Sequence, residues 1–169
     1  MTFPIIAPQL NDLASPTWAG EITDAVNDHE DRLDSLIDEG WTNYVATWTA
    51  GTGTPSLGNG TIAGRYRRIP GNDLVRFEFK LTIGSTTNVA GTVQWYLSIP
   101  VTASADAVTY GATGAIHILD NGTTTRSGIV SLDTTTRITF DTTGGFTATS
   151  PQTWATGDYF KGHVLYEAA

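Results

Sequence analysis

Between residues 74 and 83 the chain alternates strictly. Val75, Phe77, Phe79, Leu81 and Ile83 are apolar, while Arg76, Glu78, Lys80 and Thr82 between them are not. Successive side chains of a strand point to opposite faces, so this stretch describes a strand buried on one side and wet on the other. That is the habit of an antiparallel sheet, since strands buried on both faces read as unbroken apolar runs. Residues 92–99 repeat the pattern, with Val93, Trp95, Leu97 and Ile99 inward. Further strands are predicted over 44–49, 61–69, 115–119, 124–132, 137–140 and 159–167. In the third of these, Ile116 and Ile118 share one face, and His117 and Leu119 the other. Asn59-Gly60 and Asp120-Asn121-Gly122 are hairpin signals. Pro70-Gly71-Asn72-Asp73 and Thr143-Gly144-Gly145 mark further turns. Eight short strands with no helix among them predict a mainly β fold over residues 41–169, an antiparallel, jelly-roll-like β-sandwich.

Before Trp41 the period changes. Ser15-Pro16 is a helix start, since Ser caps exposed N–H groups and Pro fits the first helical position. Gly40 is a stop. Within 15–40, Ile22, Val26, His29, Leu33 and Leu36 are spaced by alternating fours and threes, with Ala19 preceding and Ile37 flanking. This narrow stripe is the seam of a coiled coil, so 15–40 is predicted to be an α-helical oligomerisation stem. A helix packed on its own head is the competing reading. His29 is then a polar layer that sets register, or, less simply, an anion contact or pH switch. Residues 1–14 precede the stem as an extended arm. Phe3, Ile5, Ile6 and Leu10 are apolar, Pro4 and Pro8 keep the chain extended, and the segment is too short to fold alone. It is predicted to dock on another surface.

Charge divides at the same point. The net charge is −8, and residues 1–40 hold nine acids against the single base Arg32, which accounts for all of it. The remaining eight acids and eight bases balance. No nucleic-acid partner is expected, because nothing would neutralise phosphates. Cysteine is absent, which excludes disulfides, thiolate metal sites and a cysteine nucleophile. Met1-Thr2-Phe3-Pro4 begins neither a basic leader nor a long apolar run, so no signal peptide and no membrane insertion are expected.

The head offers little chemistry. His117 with Asp120, and Asp158 with His163, are close in sequence but lack a nucleophile motif, so no catalytic residue is assigned. No His-x-x-x-His or complete calcium loop occurs, so no metal and no cofactor are expected. Glu78 between Arg76 and Lys80 reads as a cross-strand ion pair rather than half of a glycosidase dyad. The Gly-rich runs at 51–55 and 111–114 lack the Lys of a phosphate loop. Asn59-Gly60-Thr61 and Asn121-Gly122-Thr123 match glycosylation acceptors and are more simply turns. Tyr96, Tyr110 and Trp154 are candidate glycan contacts, with core packing the competing role for such aromatics. Arg65, Arg67 and Arg68 form a basic cluster awaiting an acidic neighbour.

Two stretches carry a resemblance. The run Ser56-Leu57-Gly58-Asn59-Gly60-Thr61-Ile62-Ala63-Gly64-Arg65-Tyr66 is one. The other is Trp154-Ala155-Thr156-Gly157-Asp158, continued by Gly162-His163-Val164-Leu165-Tyr166-Glu167-Ala168. Both resemble the β-sandwich heads of virion proteins from tailed phages of actinobacteria. The resemblance covers most of residues 41–169 and transfers no catalytic residue. It implies a non-enzymatic virion protein and a homotrimer. One implied setting is capsid decoration or a head fibre, docked on the major capsid protein. The other is a short tail fibre or minor tail protein, held by a tail component and binding a host receptor, with a glycan as one option. Three stems at −8 each would carry −24 together. The trimer is therefore expected to tighten as salt rises or as pH falls toward about 5. Sedimentation velocity checks this, and a distribution indifferent to both variables would overturn it.

Overall fold

The computed structural model describes residues 23–28 and 40–169. The chain divides into two compact units, residues 1–37 and 38–169. In the first, residues 23–28 are helical, inside the predicted stem, and Val26 is 50% exposed. The other seam residues, Ile22, His29, Leu33 and Leu36, lie outside the described residues, as do Phe3, Ile5, Ile6 and Leu10 of the arm. Gly40 takes a φ of +72°, the left-handed geometry expected of a helix stop.

The second unit is one antiparallel sheet. Its strands are β1 (Thr42–Asn43), β2 (Trp48–Ala50), β3 (Thr61–Arg68), β4 (Leu74–Thr82), β5 (Trp95–Ser98), β6 (Thr113–Asp120), β7 (Thr124–Thr134), β8 (Arg137–Asp141) and β9 (Tyr159–Glu167). Their order across the sheet is β1-β3-β4-β9-β6-β7-β8-β5-β2. The strands predicted from residue 61 onward each have a counterpart, whereas of the strand predicted over 44–49 only residues 48 and 49 are in β2, and β1 precedes it. Ile116 and Ile118 are buried, as the alternation predicts.

The two end strands are halves of one stretch. Only residues 44–47 separate β1 from β2, so the sheet must curl until its ends meet. Tyr44 stitches the seam. Its N–H donates to Gly64 O at 2.9 Å, its hydroxyl lies 2.7 Å from Ser98 Oγ, and that hydroxyl also donates to Ile99 O at 3.1 Å. Ser98 N–H donates to Thr47 O at 3.0 Å. The head is thus mainly β, one curled antiparallel sheet. With β1 and β2 counted together, the order resolves into two successive Greek keys, β5-(β2/β1)-β3-β4 and β9-β6-β7-β8. A jelly-roll winding sets the first and last strands side by side. Here β9 lies between β4 and β6, so that winding is not reproduced.

The curl encloses an aromatic core. Phe79 of β4 meets Phe140 of β8 at 5.7 Å between ring centroids, although three strands separate them in the sheet. Trp95 stacks on Trp154 at 5.2 Å and meets Trp48 edge-on at 4.8 Å. Phe146, from the loop after β8, is fully buried against Phe140 and Phe160. Each such ring contributes on the order of 2–3 kcal/mol by leaving water.

Two local expectations fail. A short helix, Ala105–Tyr110, follows Ser104, whose Oγ accepts from Ala107 N–H. It buries only Ala107, so it presents no periodic apolar stripe to read. Val93 is 45% exposed because β5 begins at Trp95, after a turn.

Across five strands the inward row reads Gly64, Phe79, Gly162, Ile116, Gly128. Small and large alternate, as a tightly curled sheet requires. A Cβ at Gly162 would lie 2.5 Å from Ala115 O and 3.0 Å from Phe79 Cζ. Gly162→Ala is expected to cost about 1–3 kcal/mol by overpacking, read from urea unfolding. An unchanged midpoint would show that this row does not limit the curl.

Candidate functional site

The outward face of β3-β4-β9-β6-β7 carries a shallow groove of about 650 Å³. Its position follows from register. The Gly64–Gly128 row points its side chains into the core, so on the outside that row offers only backbone. Two flanking rows form the walls. One runs Asn43, Arg65, Glu78, His163, Ala115, and the other Ala63, Lys80, Lys161, His117, Ser127. Both Ala side chains are short, which widens the trench.

The two walls differ in charge. On the first, Glu78 is bonded by Arg65, with Arg65 Nη2 at 2.7 Å, and by Arg76, with Nη2 at 2.8 Å. Burial pushes the Glu78 carboxyl up, but the hydrogen bond and charge of Arg65, joined by those of Arg76, outweigh it and hold it below its ordinary value. These two arginines and Arg67 ring Trp41, with the guanidinium carbons of Arg65, Arg67 and Arg76 at 4.2, 5.1 and 6.0 Å from its ring centre. Trp41 thus braces the cluster as a cation–π surface. The second wall has no carboxylate. Lys80 and Lys161 stand directly opposite each other, and His117 is next to Lys161. Both ammonium groups turn to Tyr159, with Nζ at 4.3 and 5.8 Å from its ring centre.

The residue pairs weighed for catalysis are not assembled. Asp158 is buried at 1% exposure and accepts from Asn121 N–H, Ala155 N–H and Gln152 Nε2. It clamps the β6–β7 turn to the loop before β9, a structural role, while His163 faces outward on the groove wall. Among the described residues no three His, Asp or Glu side chains gather as a metal site.

Of the three candidate glycan contacts, Trp154 is withdrawn. It is 7% exposed, stacked on Trp95, and its Nε1 donates to Thr147 O at 2.9 Å. Tyr96 is half-buried with the Arg137 guanidinium 4.1 Å over its ring. Tyr110 is 84% exposed at the end of the short helix. The three do not form one platform. Sequence reading missed the Lys80–Lys161–His117–Tyr159 cluster. Its only sequence signal is that both lysines of the chain fall in the outward phase of their strands.

No protein-family model, no curated protein and no solved structure matches the chain.

A carboxyl held below its unfolded value of 4.5 adds stability that is complete above that value and is lost as pH falls through the folded one. Glu78→Gln is therefore expected to flatten the fall of Tm between about pH 5 and about pH 3. Parallel slopes in wild type and variant would overturn the assignment.

Proposed function

We propose that the chain is a non-enzymatic structural protein of a tailed-phage virion, a homotrimeric decoration or head-fibre protein on the outside of the capsid. The observation that supports it most is the division at residue 40. Residues before it carry the whole net charge, an apolar seam and an apolar arm. Residues after it are neutral overall and fold as a self-contained unit. In this reading Ile22, Val26, His29, Leu33 and Leu36 gather three copies through a helical stem. Phe3, Ile5, Ile6 and Leu10 seat the arm on the major capsid protein, and the head faces outward. The head suits display in many copies, because its end strands are only two and three residues long and offer little to pair with a neighbour. The resemblance of 56–66 and 154–168 to phage virion heads supports the same setting.

A second reading, a short tail fibre or minor tail protein that binds a host receptor, is favoured by the outward groove. Negative-stain immunogold labelling of intact particles with an antibody to the head separates the two. Gold over the shell is expected, with removal of residues 1–10 releasing the protein while the oligomer persists. Gold at the tail tip would overturn the capsid assignment and leave the second reading standing.

A further inference from the structure

The groove contains an arrangement that stability alone does not favour. Lys80 and Lys161 are directly opposite across β4 and β9, and like charges so placed destabilise a sheet. Residues 41–169 hold eight acids to eight bases, so a carboxylate for each base is numerically at hand. None pairs with either lysine among the described residues, whereas on the facing wall Glu78 bridges Arg65 and Arg76. A local rule is broken at one place, on a concave surface, as binding sites commonly require.

We infer that this groove binds an oligosaccharide bearing carboxylate groups, with Lys80 and Lys161 holding one carboxylate between them. The shape selects the ligand class. The trench crosses five central strands whose backbone groups are already paired in the ladder, so an extended peptide cannot add as a strand. A nucleic acid, with a phosphate on every unit, asks for a row of cations, and the second wall offers two lysines. A small free anion would leave most of the 650 Å³ unused. A chain of hydroxyls with occasional carboxylates matches two lysines backed by Tyr159 and the polar side chains Asn43, Ser127, His117 and His163 along the walls. A carboxylate between the lysines converts their repulsion into two charge-assisted hydrogen bonds. This activity does not depend on where the protein sits on a particle.

The test is isothermal titration calorimetry of the full chain at about 50 mM salt, where screening is modest. The probes are galacturonate, mannuronate and glucuronate-containing oligomers, with maltotriose as the neutral control and inorganic phosphate as the bare anion. At least one acidic oligomer is expected to bind. Its affinity should fall at least about tenfold, or about 1.4 kcal/mol, in a K80Q/K161Q variant. That variant should keep or raise its Tm, since the removed charges repel, which separates lost binding from lost fold. Maltotriose should not bind. The inference is overturned if no acidic oligomer binds, if the variant binds equally well, or if phosphate binds as tightly as the oligomer. None of these outcomes bears on the immunogold result.

Discussion

The constraint on which the head depends is that one stretch, residues 42–50, forms both ends of its sheet. Nine antiparallel strands could lie in an open, twisted array. They do not, because β1 must pair with β3 while β2, a few residues later, pairs with β5 at the other end. Closure sets the curl, and the curl brings Phe79 against Phe140 and lets the loop carrying Phe146 cap the interior. The seam relies on side chains as much as on ladder bonds. Tyr44 serves both, with its backbone on the β3 side and its hydroxyl on the β5 side. Its ring also packs edge-on against Phe77 at 5.6 Å, which ties the seam to the core.

The inward row of alternating glycines and large residues has consequences on both faces. Inside, absent side chains make room for the Phe79 ring. Outside, the same row exposes only backbone between two walls of polar residues. Interior packing and the exterior groove are thus two results of a single register. The walls divide the charge. One carries Glu78 between two arginines, and the other has lysines and no carboxylate.

Much of this fold is legible in the sequence because half-buried strands announce themselves by alternation. The alternating stretch 159–167 coincides with β9 from end to end, and 74–83 with β4 to within one residue. What could not be read is anything that depends on pairing across the chain. Lys80, His117 and Lys161 are far apart in sequence and meet only when β4, β9 and β6 align. The sheet order and its closure are hidden for the same reason, since a strand does not display its partner. Aromatics mislead in a different way. Trp154 sits outside any strand and looked available, yet it fills the end of the core, and Phe146 does the same from a glycine-rich loop. Shape complementarity, unlike periodicity, leaves no local pattern in a sequence.

The placement of the seam also has a mechanical meaning. Residue 42 follows Gly40 and Trp41 directly, so a pull on the preceding chain enters the head through the segment that closes it. The two-residue pairing of β1 with β3 bears that load first, and the Tyr44 phenol bears it next. The long ladders of β4 with β9 and of β6 with β7 lie behind them. Under tension the head would yield in stages, with its clasp opening before its body.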